Sequence, residues 1–387
     1  MNIAENYKKF LKNGKTEREC TAEIIRLAEE KGYRNIESVD CLKSGDRVYV
    51  LKWNKAIALF NIGNTSIEKG MNILGAHIDS PRLDVKQNPL YESDFIVYLN
   101  THYYGGIKKY QWVTIPLALH GVVCLKDGTT VSICIGEKEG DPVFCISDIL
   151  PHLAQKQMEG NAREFIPGEN LDLICGSGIV KKDEDSDDSA DEEKARKKES
   201  AKKAVLKILK ETYGIEEKDF SSAELEVVPA GDPRDLGFDR SLILAYGQDD
   251  RSCAYASVQA MLDVEKTEKT LCCICVDKEE IGSVGATGMA SHFMENAVAE
   301  VIARLGNYSE IALRRCLASS LMLSSDVNSA YDPLNPGLYD KENSSFLGGG
   351  IVFQKYTGAR GKSGASDASP EFIARDRKST RLNSSHS

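Results

Sequence analysis

Carboxylates and one histidine follow four apolar runs that lie far apart in the 387-residue sequence. Carboxylate oxygens and imidazole nitrogens are common ligands of zinc in proteins. If these acids were brought close together, their like charges would repel one another unless a divalent cation lay among them. The pattern therefore predicts a metal site, and two ions about 3.5–4 Å apart that share one carboxylate would use the whole set. The residues concerned are His77, Asp79, Asp249, Asp250, Glu279, Glu280 and Asp326.

The spacing within two of these groups suggests separate roles. In "NILGAHIDSPRLDVK" (72–86), His77 and Asp79 are two residues apart, so a strand would place both on the same side. His77 could then bind metal while Asp79 accepts its other ring proton and fixes the tautomer. In "KEE", the adjacent Glu279 and Glu280 would point in different directions from a loop. One could bind metal while the other acts as the general base.

Parallel strands would bring these residues together. The runs 241–250, 270–280 and 318–327 each read as an apolar strand with an acidic tip, and the first two are followed by helical patterns. Strands that are apolar on both faces and alternate with helices indicate a mainly parallel sheet covered on both sides. Ligand sites of such sheets lie beyond the carboxyl ends of the strands. We therefore predict an α/β fold with a three-layer, mainly parallel mixed sheet and helices on both faces.

Other segments indicate additional elements. Residues 21–33 have apolar positions at helical spacing, and residues 47–63 alternate like antiparallel strands. From about residue 86 the chain becomes rich in short β-type runs with turn signals such as Asp127-Gly128. Residues 183–203 form an acidic block followed by a basic one, which we interpret as a solvated loop running into a surface helix.

Composition limits the possible classes of protein. The net charge of −10 argues against a nucleic-acid-binding surface, which needs clustered lysine and arginine. We find no signal peptide and no apolar stretch of membrane-spanning length, so neither nucleic acid nor membrane is an expected partner, and a cytoplasmic location is expected. The 11 cysteines fit that expectation, and Cys272 and Cys275 are predicted to be buried thiols because their C-x-x-C pair lies in a strand-like run.

The chain resembles the aspartyl aminopeptidase family, zinc-type metallo-aminopeptidases of the phosphorylase/hydrolase-like superfamily. The resemblance runs from near the start to about residue 372 and rests on "GAHIDSPRLDVK", "THYYGGIKKYQW", "YGQDDRSCAY", "DKEEIGSVGATG" and "SSDVNSAYDP". It implies a catalytic metallopeptidase domain formed by residues 1–85 and 235–372. Residues 86–234 would form an inserted β-rich domain used for dimerisation and larger assembly.

The same resemblance implies roles for the candidate site residues. His77 would bind one metal, Asp249 would bridge both metals and Glu280 would bind the other. Asp326 would complete the first metal site, and Glu279 matches the catalytic base. Asp79 would serve catalysis beside His77, and Asp250 would support the ligands without binding metal itself.

The resemblance also implies an activity. Two divalent ions, zinc first and cobalt or manganese as alternatives, would activate a water that hydrolyses the N-terminal peptide bond of a peptide. An acidic first residue is the family's best-known preference, and Lys355 is either its positive partner or a surface lysine. Related members form homo-oligomers, including a dodecamer, through the inserted domain. His152 falls in a motif of that domain.

The sequence departs from the family after residue 372. The family has a fifth ligand, a histidine in a later segment, and residues 373–387 do not follow the family pattern, so we interpret them as a non-native tail. His386 in this tail is not interpreted as a ligand. We therefore expect the chain, as a C-terminally truncated member, to fold poorly and to be inactive.

Two alternative functions remain open at this level. Deacylases and carboxypeptidases of the same superfamily share the H-x-D and E-E patterns. A metal-free protein with a relict site, or an inactive truncated homologue, is the other alternative. The intact Glu279-Glu280 pair argues against a relict, because a relict has no need of a proton acceptor beside a metal ligand.

Overall fold

A computed structural model describes residues 2–177, 201–356 and 367–374. The chain divides into two compact units, Met1–Asp326 and Val327–Ser387, and all seven candidate site residues belong to the first unit. The loop predicted at 183–203 lies almost entirely outside the described residues, as does His386. Across the described ranges, every helix is too short or too polar to cross a membrane.

The elements of the first unit begin and end as follows. The strands are β1 Arg34–Asn35, β2 Arg47–Lys52, β3 Ala56–Asn61, β4 Asn72–His77, β5 Arg82–Ser93, β6 Ile96–Tyr104, β7 Leu117–Cys124, β8 Thr130–Ile135, β9 Leu173–Ser177, β10 Ala223–Pro229, β11 Arg234–Leu236, β12 Leu242–Leu244, β13 Leu271–Val276 and β14 Leu321–Ser324. The helices are α1 Ile3–Asn13, α2 Glu17–Glu30, α3 Gln155–Met158, α4 Ala201–Tyr213, α5 Gln248–Asp263, α6 Phe293–Arg304 and α7 Glu310–Ser319.

The first sheet has the strand order β1-β2-β3-β13-β4-β14. Strand β4 pairs in parallel with both of its neighbours, β13 and β14, while β3 runs antiparallel to β2 and β13. The sheet is therefore mixed and mainly parallel, as predicted. Strand β13 is apolar throughout, and the thiols of Cys272 and Cys275 are buried in it as expected.

Helices cover both faces of this sheet, which confirms the three-layer architecture. Alternate residues of one strand contribute to different cores, because successive side chains of a strand point to opposite faces. In β3, Ala58 and Phe60 pack with α6 and α7, whereas Ile57 and Leu59 pack with α1, α2 and α5.

A second sheet follows directly on the first. Its order is β8-β7-β10-β5-β6-β9, all pairs are antiparallel, and it has its own apolar core against which α4 packs. Strand β5 begins at Arg82, five residues after His77, so this sheet starts beside the end of β4. The β-rich character predicted from residue 86 onward is therefore present.

One predicted strand of the main sheet was wrong. Residues 241–250 contribute only the three-residue β12, which pairs with β11 in a separate two-stranded sheet. The run is too short to cross the main sheet, and Leu242 and Leu244 are exposed rather than buried. Asp249 and Asp250 consequently lie at the start of helix α5, where their own backbone angles are not helical, and not at the end of a sheet strand.

The second unit consists largely of irregular chain in its described part. Ala330 and Ser345 form an isolated parallel bridge, and the ring of Tyr331 packs against Tyr339 and Phe346. Lys355, the candidate positive partner of a substrate, is exposed in this unit.

Candidate metal centre

Most of the candidate residues lie at one edge of the first sheet, at or just beyond the carboxyl ends of three adjacent parallel strands. His77 is the last residue of β4 and pairs with Val276, the last residue of β13. Glu279 and Glu280 lie in a short 3-10 turn, Glu279–Ile281, just after β13, and Asp326 lies two residues after β14. The carboxyl ends of these strands therefore meet as the sequence predicted.

Asp249 and Asp250 reach the same place from helix α5. Gly247 precedes them with φ +77, and a side chain there would collide with Arg251, because an added Cβ would lie 1.9 Å from the Arg251 Nη1 atom. Arg251 donates a hydrogen bond of 3.0 Å to the hydroxyl of Ser80, which donates one of 2.5 Å to the backbone carbonyl of Asp249. This chain of contacts anchors the start of α5 to the loop that follows His77.

The carboxylates converge on one nitrogen of His77. Its Nε2 atom lies 3.3 Å from Asp249 Oδ1, 3.7 Å from Glu279 Oε2 and 3.7 Å from Asp326 Oδ1. Although it is buried, Nε2 has no hydrogen-bond partner. We refer to His77, Asp249, Asp250, Glu279, Glu280 and Asp326 as the His77 cluster.

Asp250 also points into this cluster. It is fully buried, its Oδ2 atom has no hydrogen-bond partner, and its ligand-capable atoms lie within 4.8 Å of those of His77 and Asp326. Its other oxygen accepts a hydrogen bond from the backbone N–H of Cys253 at 3.2 Å. An unpartnered, buried Nε2 atom is expected of a histidine that binds a cation, and the buried carboxylate of Asp250 adds negative charge beside it.

Asp79 contacts both His77 and the turn that carries Glu279 and Glu280. The Nδ1 atom of His77 lies 3.1 Å from the backbone carbonyl of Asp79 and 3.3 Å from its carboxylate. The same carboxylate accepts hydrogen bonds from the backbone N–H groups of Glu279 and Glu280, both at 3.2 Å. In the neutral form of His77, Nδ1 is the nitrogen that holds the proton, because it faces two acceptors, and Nε2 can then offer its lone pair to a metal.

The electrostatics of the His77 cluster favour a divalent cation. Burial raises the pKa of Asp250 to about 7, and burial together with the Asp249 carboxylate raises the pKa of Glu280 to about 7. Burial alone would lower the pKa of His77, but the carboxylates of Asp249 and Asp326 raise it well above its usual range. Carboxylates that crowd together in this way regain their charge when a cation lies among them. The residues present therefore fit a zinc centre.

A second buried group of charges lies close by and was missed from the sequence. Glu17 of α2, Lys55, Arg82 of β5 and Glu226 of β10 are all buried, and Glu224 of β10 is partly buried. Lys55 Nζ lies 2.9 Å from Glu17 and 3.0 Å from Glu224, and Arg82 lies 3.4 Å from Glu17 and 3.0 Å from Glu226. We refer to these five residues as the paired cluster.

Sequence reasoning also missed Tyr104. Its hydroxyl donates a 2.7 Å hydrogen bond to Asp79 from the end of β6. Tyr104 lies in the motif "THYYGG", but the sequence alone does not show which residue of that motif contacts the site. His152, by contrast, is exposed in a short 3-10 turn, Pro151–Leu153, and its role stays a prediction.

A cavity of about 390 Å³ opens beside Asp249. Besides Asp249, the cavity is lined by two residues that follow β4, by part of the segment after β6 and by the turn before α5: Ser80, Pro81, Gly106, Ile107, Lys108, Gln111, Trp112, Tyr246 and Gly247. Lys108 places a positive charge in its wall. The cavity is large enough for an amino-acid side chain.

The three-layer fold and the His77 cluster define a metallohydrolase. The family described as Aminopeptidase I zinc metalloprotease (M18) matches residues 10–379. The chain therefore belongs to the M18 family of zinc metallo-aminopeptidases, which confirms the resemblance seen in the sequence and makes it a hydrolase of peptide bonds.

Individual relatives agree with this membership. The chain is 53% identical over 380 residues to a probable M18 family aminopeptidase 1 of Clostridium acetobutylicum, covering 97% of this chain and 79% of that protein. The crystal structure of an M18 aminopeptidase from Thermotoga maritima superposes with a TM-score of 0.91 at 44% identity, covering 99% of this chain and 81% of that one. The mApe1 dodecamer of S. cerevisiae shares the fold, with a TM-score of 0.68 at 19% identity, covering 89% of this chain and 76% of that one.

The chain thus spans about four fifths of the length of these bacterial relatives. The expectation that the chain folds poorly and is inactive stays a prediction, it is opposed to the function proposed below, and the zinc and activity measurements given there decide between the two.

Proposed function

We propose that the His77 cluster binds two zinc ions and that the chain hydrolyses the N-terminal peptide bond of peptides. His77 and Asp326 would hold one ion, Glu280 the other, and Asp249 would be shared between them. Asp250 would support these ligands from its buried position. The observation that carries the proposal is the buried, unpartnered Nε2 atom of His77, which faces the oxygens of three carboxylates.

Different residues of the cluster would have different roles in hydrolysis. Zinc held there supplies Lewis acidity that polarises the scissile carbonyl and acidifies water. Glu279 accepts the proton of the attacking water and returns it to the leaving amine. Burial raises the pKa of Glu279 above its usual value, which suits a group that must both take and give a proton. A carboxylate of the cluster pairs with the free α-ammonium group of the substrate, which restricts cleavage to chain ends.

Zinc content and substrate choice test this function together. We expect the purified chain to hold close to two zinc ions and to hydrolyse amino-acyl anilides but not N-acyl amino acids. His77→Ala should remove zinc, whereas His292→Ala, which changes an exposed histidine paired with Glu295, should not. Zinc content near zero would favour a relict site, and hydrolysis of N-acyl amino acids alone would favour a deacylase.

The proposal extends to the side chain that is removed. The cavity beside Asp249 would hold the side chain of the first residue, and Lys108 in its wall would favour an acidic one. We expect faster cleavage of aspartyl and glutamyl anilides than of alanyl anilide. Lys108→Met should reduce that ratio, whereas Lys109→Met should leave it unchanged. An unchanged ratio in Lys108→Met would contradict the assignment.

We also propose the domain roles and the assembly. Residues 1–85 and 235–372 would form the catalytic domain, and residues 86–234 an oligomerisation domain of a cytoplasmic homo-oligomer. Exposed apolar side chains in the second region, including Leu150, Leu153 and Met158, support this role, as does the dodecameric state of mApe1. Sedimentation should give a mass several times that of one chain, and Leu153→Glu should lower it. A monomeric wild-type chain would contradict the proposal.

A further inference from the structure

Tyr104 lies where the second sheet meets the His77 cluster. It ends strand β6 and is the cross-strand partner of Arg82, the first residue of β5. Its side chain is buried, and its hydroxyl donates a 2.7 Å hydrogen bond to Asp79 Oδ2. Burial raises the pKa of Tyr104 well above its usual value, so the hydroxyl keeps its proton and remains a donor.

Arg82 fixes the ring of Tyr104. The guanidinium carbon of Arg82 lies 3.8 Å from the centre of that ring, a distance typical of a cation–π contact. Arg82 is itself held by Glu226 at 3.0 Å and Glu17 at 3.4 Å. The ring of Tyr104 therefore packs against the guanidinium of Arg82 in β5, and acids of α2 and β10 hold that guanidinium in place.

The residue after Tyr104 brings the hairpin close to the cluster. Gly105 has φ +73, and an added Cβ there would lie 3.2 Å from Glu280 Cβ. A larger residue would push the end of β6 away from the turn that carries Glu279 and Glu280. The second sheet thus approaches the site at Gly105 as well as at Tyr104.

We propose that Tyr104 is a positioning residue of the zinc centre. By holding Asp79, its hydroxyl orients both His77, through Nδ1, and the Glu279–Glu280 turn, through two backbone N–H groups. Asp79 makes all of these contacts with one carboxylate, so a rotation of that carboxylate would move a metal ligand and the base together. Hydrogen-bond partners behind metal ligands commonly change metal affinity or activity by about 10–100-fold when removed.

Tyr104→Phe tests this inference, because it removes the hydroxyl and keeps the ring that stacks on Arg82. We expect zinc to transfer to a chelator about 10–100 times faster and kcat to fall by a similar factor, with KM unchanged. Tyr103→Phe is the matched control, since Tyr103 is a neighbouring tyrosine that is 43% exposed. Zinc transfer is measured on protein that elutes at the wild-type position in gel filtration, so unfolded chains do not contribute.

A double-mutant cycle with Asp79→Asn tests whether Tyr104 acts on the zinc centre through Asp79. If Tyr104 acts through Asp79, adding Tyr104→Phe to Asp79→Asn should cause little further loss. Additive effects, a Tyr104→Phe variant that behaves like Tyr103→Phe, or one that does not fold would each overturn the inference. The inference rests on the proposed function, but the two fail differently. A wild-type chain without zinc overturns both, whereas a zinc-loaded wild type with an unaffected Tyr104→Phe variant overturns this inference alone.

Discussion

The His77 cluster and the paired cluster are both groups of acids near the junction of the two sheets, yet they differ in burial and in what balances their charge. Asp249, Glu279 and Asp326 of the His77 cluster are exposed. Glu17 and Glu226 of the paired cluster are buried. In the paired cluster, Lys55 and Arg82 lie within 3.4 Å of Glu17, and Arg82 also reaches Glu226. Within the described ranges, no lysine or arginine nitrogen lies within 4.0 Å of a carboxylate of the His77 cluster. A set of acids is available to a metal where the chain supplies no lysine or arginine to pair with it.

Glu280→Lys would give the His77 cluster a lysine and should therefore make it resemble the paired cluster. We expect zinc content to fall to one ion or fewer. We also expect activity to fall by about a thousandfold, because several kcal/mol of Lewis-acid stabilisation are lost. Glu280→Gln removes the same ligand without adding charge, and it should retain more zinc than Glu280→Lys. Equal zinc content in Glu280→Lys and the wild type would show that charge balance does not decide metal binding here.

Glu279→Gln tests whether Glu279 acts as the general base of the His77 cluster and not as a metal ligand. The variant should keep its zinc, since the amide preserves the shape of the side chain, while kcat falls by about 10²–10⁴-fold. Elemental analysis and steady-state kinetics on the same preparation provide the measurement. Loss of zinc in this variant would make Glu279 a ligand rather than the proton carrier.

Arg82→Met tests the paired cluster. Removing one partner of a buried ion pair leaves uncompensated charge, so we expect the free energy of unfolding to fall by about 3–5 kcal/mol. Lys12→Met is the control, because Lys12 pairs with Asp232 at an exposed position and should change stability by less than about 1 kcal/mol. Urea denaturation measures both, and equal stability of Arg82→Met and the wild type would contradict the prediction.

The stability conferred by zinc should depend on pH. In the metal-free fold, Asp250 and Glu280 have pKa values of about 7, above the usual values of these side chains. Their protonation stabilises the metal-free fold at low pH, and this contribution is lost as pH rises through about 7. The difference in unfolding free energy between zinc-loaded and chelated protein should therefore grow by about 1–2 kcal/mol from pH 5 to pH 7. Thermal melts that show a constant difference would contradict this.

The sequence predicted the strand-end residues well because their signal is local. An apolar run with a polar tip marks the ends of β4, β13 and β14, and the parallel-sheet rule then brings His77, Glu279 and Asp326 together. The same reasoning was wrong for the segment before Asp249. The apolar run at 241–245 looks like a buried strand in the sequence, but its Leu242 and Leu244 side chains are exposed.

The residues that were missed depend on contacts between distant segments. Glu17, Arg82 and Glu226 pair across α2, β5 and β10, and no local pattern in the sequence links those three positions. Tyr104 reaches Asp79 only because β6 pairs with β5 in register with Arg82. Such contacts follow from tertiary packing, which the hydrophobic periodicity of the sequence alone does not predict.

The order in which the cluster is assembled has a consequence during protein synthesis. His77 and Asp326 are about 250 residues apart, and β4 lies between two strands that are both made much later. At about 5–20 residues per second, roughly 12–50 seconds pass between the appearance of the first ligand and the last. Throughout that interval the nascent polypeptide lacks a complete centre, so the ribosome and its emerging products are not exposed to a working peptidase.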